Sequence, residues 1–350
     1  MKSDQVEALI ECTRGPIVES IHFGALAVVT SHAELLASYG DPQLTTFLRS
    51  SAKPFQALPF IERGGAEHFG LSDREVALLC ASHSGTDEHV AVVSSIQQKI
   101  GAGEEHLLCG VHNPFHEPTS QALFLRGEKP TSNRHNCSGK HTGMLAHAVM
   151  RGLPVEDYIN PQHPVQQSIL RAFAEMCDLQ PNEVIQGVDG CSAPNFAVPL
   201  FNAAYAMARL ADPVGLPARR AAALQHIFRS MAANGDMVAG PGRFDTLIMA
   251  LMGGKLVAKA GAEGYQVISI LPGVLGAGSP GIGIAFKIAD GDLNGRARPL
   301  VGVEILRQLG VLSAEQIAGL AGFDRRALYN WRKLTVGEIR PCFAVEKLVS

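Results

Sequence analysis

The sequence predicts an α+β fold: strands from the N- and C-terminal parts form one antiparallel sheet flanked by helices, beside a largely helical central lobe. Apolar residues near both ends of the chain alternate with polar ones or run continuously between turn residues, as strands do. The middle of the chain instead repeats apolar residues every three or four positions, which is typical of helices. We therefore expect one unit, residues 1–350, of two lobes: a sheet lobe of about 1–48 plus 236–350 and a helical lobe of about 49–235.

The N-terminal part contains three predicted strands. Each is an alternating or continuous apolar segment closed by glycine, proline or aspartate, and such residues mark turns. The segments are VEALIECTRG, PIVESIHFGALAVVT and HAELLASYGD.

Four central segments have helical periodicity. TDEHVAVVSSIQQKIG begins with Thr86 or Asp87 as a capping residue and places its apolar side chains on one stripe. GKHTGMLAHAVMRGLP ends at Gly152 and Pro154, which stop a helix. The other two segments are PVQQSILRAFAEMC and PARRAAALQHIFRSMAANG.

The C-terminal part returns to strand patterns. YQVISILPG and GIGIAFKIADGDLNG are two further predicted strands, the second closed by the turn residues Asp290, Gly291 and Asp292. The following segment, PLVGVEILRQLGVL, has helical spacing. Strands at both ends around central helices favour one shared sheet, with a site in the cleft beside the helical lobe.

Composition excludes several classes of protein. A hydrophobic content of 46% supplies a large core, and 18% charged residues is too few for a disordered chain. The formal net charge of −3 gives no reason to expect nucleic acid as a partner. The N-terminal residues lack the apolar stretch of a signal peptide, and no apolar run is long enough to span a membrane. Seven scattered cysteines fit a reducing compartment, so we expect a cytoplasmic protein.

Two sets of serine and lysine residues suggest hydroxyl nucleophile chemistry. Ser50 and Lys53 are three positions apart in RSSAKPFQALP, so one helical turn places them on the same face. Ser82 lies in CASHSGTDEH on a turn ahead of a capped helix, and Lys259 lies in a predicted C-terminal strand. A lysine close to a serine accepts its proton only in the neutral form. Taken alone, the first pair is equally compatible with a polar helix start.

Two short segments carry soft metal ligands. HNCSGKHTG contains Cys137, Lys140 and His141, and GVDGCSAPN contains Asp189 and Cys191. The two cysteines with His141 form a possible ligand set for zinc, although no paired Cys-x-x-Cys spacing supports it. Buried cysteines that bind nothing are the alternative.

One further motif fails its structural requirement. GAGSPG fits the glycine pattern of dinucleotide-binding proteins, which requires a following helix. Pro280 and a strand pattern follow instead, so we expect no dinucleotide cofactor.

Taken together, six segments resemble the L-asparaginase II family of the Rhizobium type. The similarity runs in the same order through most of the chain, roughly from Glu11 to Pro341. The segments are RSSAKPFQALP, CASHSGTDEH, CGVHNP, HNCSGKHTGMLA, GVDGCSAPNFAVPL and GRFDTLIMALMGGKLVAKAGAEG.

The resemblance implies a fold, a reaction and site residues. The implied fold is that of serine β-lactamases and glutaminases, and the implied reaction is hydrolysis of L-asparagine to aspartate and ammonia. Apart from the resemblance, we expect a homodimer. The resemblance pairs Ser50 with Lys53 as nucleophile and base, and Ser82 with Lys259 as a proton relay, although the two serines exchange roles in an alternative assignment. It also implies a zinc site whose zinc does not generate the nucleophile, held by Cys137, Lys140 and Cys191.

The resemblance also bears on substrate binding, and the chain departs from the family at one position. Arg49 and Asp189 are the candidates for the charged ends of an amino acid, with His141 close by. Asp245 stands where some relatives have cysteine, so a role for that cysteine does not transfer to this chain. Two alternative functions stay open. One is a penicillin-binding or β-lactamase-like hydrolase, although Lys259-Ala260-Gly261 lacks the hydroxyl of Lys-Thr-Gly. The other is a non-catalytic regulator that binds amino acids.

Overall fold

A computed structural model describes residues 1–320 and 322–347 of the chain. Its strands, numbered in chain order, are β1 (Glu7–Arg14), β2 (Ile17–Thr30), β3 (Leu35–Tyr39), β4 (Thr45–Phe47), β5 (Ile185–Val188), β6 (Pro194–Pro199), β7 (Leu256–Ala260), β8 (Tyr265–Ile270), β9 (Ile282–Ile288), β10 (Arg326–Tyr329), β11 (Thr335–Pro341) and β12 (Glu346–Lys347).

The α-helices of the described residues are numbered in the same way. They are α1 (Lys53–Glu62), α2 (Gly65–Phe69), α3 (Asp73–Leu79), α4 (Asp87–Ile100), α5 (Glu117–Leu125), α6 (Ser138–Met150), α7 (Pro164–Met176), α8 (Leu200–Ala211), α9 (Ala218–Ala233), α10 (Gly235–Val238), α11 (Phe244–Met252), α12 (Arg298–Gln308) and α13 (Ala314–Gly319). Each of them is too short or too polar to cross a lipid bilayer.

The chain folds into two compact units. One consists of residues 1–49, 198–212 and 258–350, and the other of residues 50–197 and 213–257. Helix α8 falls in the first of these units, and residues 236–257 fall in the second. We refer to the two units below as the sheet unit and the helical unit.

Strands from both ends of the chain share the main sheet of the sheet unit. The strand order is β10-β11-β1-β2-β9-β8-β7, and β3 pairs with both β2 and β12. In the middle of the sheet β2 runs antiparallel to β9, with Leu26 opposite Phe286, and β1 runs antiparallel to β11, with Ile10 opposite Pro341. The predicted α+β class, with one antiparallel sheet built from both chain ends, is confirmed.

Helix α8 packs closely against this sheet through a glycine. A Cβ atom added to Gly283 of β9 would lie 1.8 Å from the backbone oxygen of Ala204 in α8. Any other residue at this position would therefore force the helix away from the strand. The contact excludes water from the apolar residues on both elements, and Leu26, Phe286 and Met207 are fully buried.

Helix α1 is central to the helical unit, where it packs against α6, α7 and α9. Phe55 of α1 lies edge-on to Phe173 of α7 with ring centroids 6.1 Å apart, and Phe173 stacks on Phe196 of β6 at 4.8 Å. Burying a phenylalanine contributes about 1.5–3 kcal/mol to folding. This aromatic cluster holds the core of the unit around α1, whose first residue is Lys53.

Candidate active site

Ser50 and Lys53 lie where a short 3₁₀ turn, Arg49–Ala52, leads into α1. Pro54 occupies the first turn of the helix, where a backbone N–H is not needed for the helix ladder. Arg49 has a φ of 52°, in the left-handed region that residues other than glycine rarely adopt. The chain therefore turns sharply just before Ser50, which is 9% exposed.

Ser82 lies on the irregular segment between α3 and α4. Its backbone N–H donates to the carbonyl oxygen of Val238 at 2.9 Å. Thr86 caps α4 by accepting a hydrogen bond from the His89 N–H, as predicted from the sequence. These bonds fix both ends of the segment, and the Ser82 side chain is only 7% exposed.

Lys53 connects these two segments. Its Nζ atom lies 2.5 Å from the Ala81 carbonyl oxygen, 2.9 Å from Ser82 Oγ and 3.5 Å from the Asn136 carbonyl oxygen. The side chain is fully buried. Ser50 is not among the hydrogen-bond partners of this amine in the part of the chain that the structure describes. The structure therefore brings Lys53 together with Ser82, whereas the sequence spacing had paired it with Ser50.

This geometry suits proton exchange between Lys53 and Ser82. A neutral lysine amine has two N–H donors and one lone pair. The carbonyl groups of Ala81 and Asn136 can accept both donors, which leaves the lone pair for the Ser82 hydroxyl. A charged ammonium would instead donate to all three oxygens. The same three contacts are therefore available before and after a proton transfer.

Lys259, the second lysine of the predicted pairs, lies on β7. Its side chain is fully buried, and its Nζ atom donates to the carbonyl oxygen of Ala260 at 2.8 Å. Its predicted partnership with Ser82 stays a prediction.

The predicted metal ligands are gathered at the start of α6. Lys140 Nζ lies 2.9 Å from Cys191 Sγ, and all three side chains of the set are at least 96% buried. A hydrogen bond from Cys191 lowers the pKa of Cys137 well below its ordinary value, an effect reinforced by the positive charges of Lys53 and Lys140 although burial opposes it. The same hydrogen bond, followed by burial, raises the pKa of Cys191.

Lys140 balances this charge. Burial acts to lower its pKa, but the charge interactions with Cys191, Cys137 and Asp189 raise the pKa overall. The two shifts therefore favour a charge pair between a Cys137 thiolate and a Lys140 ammonium.

His141 lies beside the cluster and has one unsatisfied ring nitrogen. Its Nδ1 atom is 2.7 Å from the Tyr158 hydroxyl, which also accepts the Leu108 backbone N–H at 2.9 Å. Its Nε2 atom is buried and has no hydrogen-bond partner among the described residues. Burial, and then the charge of Lys140, lower the pKa of His141 well below its ordinary value, so the ring is neutral.

The two charged substrate-binding candidates lie on turns. Asp189 belongs to the turn between β5 and β6, where its Oδ1 atom accepts the Gly190 N–H at 2.9 Å. Arg49 lies 4.0 Å from the carboxylate of Glu263 and is 25% exposed. Their roles as substrate ligands stay predictions.

The sequence did not identify His83 as a site residue. Its Nδ1 atom accepts the Gly85 N–H at 3.2 Å, and its Nε2 atom lies 2.8 Å from Ser138 Oγ, which in turn donates to the Asn133 carbonyl oxygen at 2.9 Å. Burial, followed by the charges of His89 and Lys53, lowers the pKa of His83 well below its ordinary value. The neutral ring therefore joins the segment that carries Ser82 to the first turn of α6. Its position next to Ser82 in the sequence was the only available signal.

Known proteins are similar to this chain in sequence and in fold. The sequence profile of the L-asparaginase II family matches residues 10–341. None of the curated proteins matches the sequence. Among solved structures, a probable glutaminase from Bacillus subtilis complexed with 6-diazo-5-oxo-L-norleucine is 13% identical, over 82% of this chain and 84% of that one, with a TM-score of 0.37. A Bacillus glutaminase in the presence of 4.3 M NaCl is also 13% identical, over 82% and 89% of the chains, with a TM-score of 0.36.

Proposed function

This chain belongs to the L-asparaginase II family and is an amidohydrolase, and we propose that it hydrolyses L-asparagine to L-aspartate and ammonia by serine–lysine catalysis. The observation that carries the proposal is the buried hydrogen bond of 2.9 Å between Lys53 Nζ and Ser82 Oγ. A serine hydroxyl needs a base to attack an amide near neutral pH. A buried lysine that shares a proton with a serine supplies one.

We assign the nucleophile to Ser50 and the proton relay to Lys53 and Ser82. The Ser50 oxygen bonds to the side-chain amide carbon of asparagine, and its proton passes through the Ser82 hydroxyl to Lys53. The carbon–nitrogen bond then breaks, and the departing nitrogen takes a proton from the Lys53–Ser82 pair and leaves as ammonia. Water adds to the resulting ester and releases aspartate, which restores the Ser50 hydroxyl.

The hydrogen bond between Lys53 and Ser82 also favours a second assignment, in which Ser82 itself is the nucleophile. Lys53 contacts the Ser82 hydroxyl directly, whereas Ser50 is not among its hydrogen-bond partners in the described part of the chain. In this version the proton of Ser82 moves to Lys53 in one step. Lys259 is retained as a proposed contributor in both versions, on the strength of the family resemblance.

Zinc is the proposed metal of the Cys137, Lys140 and Cys191 cluster. Two sulfur atoms and a nitrogen are donors that a soft divalent ion accepts, and the unsatisfied Nε2 atom of His141 lies on the same helix turn. The described residues contain no group of three His, Cys, Asp or Glu side chains that could hold a metal, so Lys140 would have to serve as a neutral ligand. When bound, zinc would polarise or orient a substrate group, while the proton steps stay with serine and lysine.

The test combines turnover with covalent labelling. Ammonia release is measured with L-asparagine and L-glutamine, and we expect asparagine to have the higher kcat/KM. A diazoketone analogue of asparagine should then alkylate one serine, and peptide mass spectrometry identifies it as Ser50 or Ser82. Release of ammonia only from glutamine would contradict the proposed substrate.

Two other outcomes would contradict the proposed reaction. Tight asparagine binding without ammonia release would make the chain a binding protein, and acylation by penicillin would make it a β-lactam-reactive hydrolase. A cytoplasmic location and a homodimer stay predictions from the sequence.

A further inference from the structure

Three arginines of the helical unit converge without a carboxylate partner. Arg63 follows the last residue of α1, Arg151 follows the last residue of α6, and Arg171 lies in the middle of α7. The three helices pack together. Neither Arg63 nor Arg171 forms an ion pair or a hydrogen bond through its side chain within the described residues, and Arg151 reaches only the neutral oxygens of Pro164 and Ser168, at 3.4 Å and 3.3 Å.

The positive charges of Arg63 and Arg171 act on Arg151. Burial, followed by the positive charges of Arg63 and Arg171, lowers the pKa of the Arg151 guanidinium below its ordinary value. The three charges are therefore close enough to repel one another. Within the described residues, no carboxylate pairs with the Arg151 guanidinium.

A surface cavity of about 390 Å³ lies at this cluster. Arg63, Arg171 and Ser168 line it, together with Glu62, Glu175, Arg219 and Arg220. Arg151 does not line the cavity itself but reaches its edge by donating to Ser168 at 3.3 Å. Both carboxylates are already engaged, because Arg220 lies 2.9 Å from each of them. The acidic residues of the cavity therefore do not neutralise the three arginines.

Interaction with helix dipoles explains the positions of only two of the three arginines. Positive side chains at the ends of α1 and α6 complement the helix dipoles, which accounts for Arg63 and Arg151 taken singly. Arg171 has no such role, since it lies within α7. Some exposed arginines elsewhere on the chain do face carboxylates, as Arg126 does with Glu128 at 2.8 Å and Arg340 with Glu338 at 2.8 Å.

A buried histidine next to the cluster also lacks a partner. His147 lies one helical turn before Arg151 on the same face of α6, and its side chain is 1% exposed. Its Nε2 atom makes no hydrogen bond within the described residues. The buried ring nitrogen therefore lies one helical turn from Arg151 without a hydrogen-bond partner of its own.

We propose that Arg63, Arg151 and Arg171 form a binding site for a small multivalent oxyanion, a phosphate-bearing or polycarboxylate compound. Guanidinium groups bind both of these anions through paired N–H donors. The Ser168 hydroxyl adds a neutral partner, and the cavity volume lies within the range of small-molecule sites. This site is separate from the proposed catalysis, because it lies at the far ends of the helices that begin at Lys53 and Ser138.

The test is a calorimetric titration of the full chain with inorganic phosphate and with citrate, at an ionic strength held constant with NaCl. We expect saturable binding of at least one anion, and the tighter of the two identifies the ligand chemistry. Arg171→Gln should weaken that binding at least tenfold, because it removes one of the guanidinium groups that line the cavity. Arg63→Gln should weaken it similarly.

The matched control is Arg332→Gln, which removes the same charge from an exposed residue of the sheet unit. It should leave the affinity unchanged, as should Ser82→Ala in the proposed catalytic site. Binding that does not saturate for either anion, or that the Arg171→Gln and Arg332→Gln variants weaken equally, would overturn the proposal. Asparagine turnover has no part in this test, so its outcome is independent of the proposed reaction.

Discussion

The Nζ atom of Lys53 and the Oγ atom of Ser82 lie 2.9 Å apart although 29 residues separate them in the sequence. The Lys53 side chain is fully buried, and its other hydrogen-bond partners are backbone carbonyl groups.

Replacing Lys53 with methionine should remove both activity and stability. The variant leaves the Ala81 carbonyl and the Ser82 hydroxyl without their buried donor, at a cost of about 1–3 kcal/mol for each group. Loss of the base should lower kcat by about 10²–10⁴-fold. Urea unfolding and an ammonia assay measure the two effects. Lys255→Met, at an exposed position, should change neither, and a fully active Lys53→Met variant would exclude lysine catalysis.

Replacing Ser50 and replacing Ser82 should affect turnover and covalent labelling differently. If Ser50 is the nucleophile, Ser50→Ala abolishes turnover and diazoketone labelling, whereas Ser82→Ala slows turnover and still permits labelling of Ser50. Residues that act as a unit lose activity non-additively, so the double variant should be no worse than Ser50→Ala. Ser51→Ala is the control, since Ser51 is also buried and its loss should affect stability more than turnover. Labelling that survives in Ser50→Ala and disappears in Ser82→Ala would transfer the nucleophile to Ser82.

His83 should act by positioning the Ser82 segment. Its ring donates to Ser138, so His83→Ala removes a link that His83→Gln can partly restore through its side-chain amide. We expect kcat to fall about tenfold in His83→Ala, equivalent to about 1.4 kcal/mol, with a smaller loss in His83→Gln. Adding Ser138→Ala to His83→Ala should cost little more, because both remove the same hydrogen bond. Fully additive losses in this double-mutant cycle would contradict the assignment.

His147 should make the protein less stable in acid. Burial, aided by the charges of Arg151 and Arg63, lowers its pKa from 6.5 to about 3 in the folded state. The unfolded chain therefore binds a proton first as the pH falls below 6.5, and the stability that the neutral ring provides above that pH is lost progressively down to pH 3. From pH 7.5 to 5 this one group removes about 2 kcal/mol of the free energy of unfolding.

The measurement is urea unfolding at pH 7.5 and pH 5. The difference between the two free energies should be smaller by about 2 kcal/mol in His147→Gln, which cannot take up the proton. His68→Gln serves as the control because His68 is exposed. The same pH dependence in all three proteins would show that His147 is not the responsible group.

Zinc should affect substrate binding more than turnover. We expect exhaustive chelation to raise the KM for asparagine more than it lowers kcat, because serine and lysine carry the proposed proton steps. Cys191→Ser should lose the metal in elemental analysis, whereas Cys12→Ala, at a buried cysteine of β1, should keep it. Metal-free protein that binds asparagine normally and cannot turn it over would contradict the positioning role.

The sequence was sufficient to predict the elements whose patterns are local. Thr86 and the apolar spacing behind it predicted α4 because capping and helical periodicity depend on neighbouring residues. The contact between Lys53 and Ser82 was not predictable in this way, since it depends on the path of the chain between α3 and α4. The same holds for α8, which packs against β9 and β2 of the sheet. Its apolar residues specify burial but not the sheet that buries them.

The arrangement of the sheet also sets the order of events during synthesis. The central strand β2 is complete at residue 30, but its partner β9 begins only at residue 282. At ribosomal rates of about 5–20 residues per second, the apolar side chains of β2 must wait on the order of ten seconds or more for that partner. During that time the apolar side chains of β2 stay exposed on the nascent chain, where chaperones can bind them. A fragment that ends before β9 would expose the same surface permanently and would be expected to aggregate.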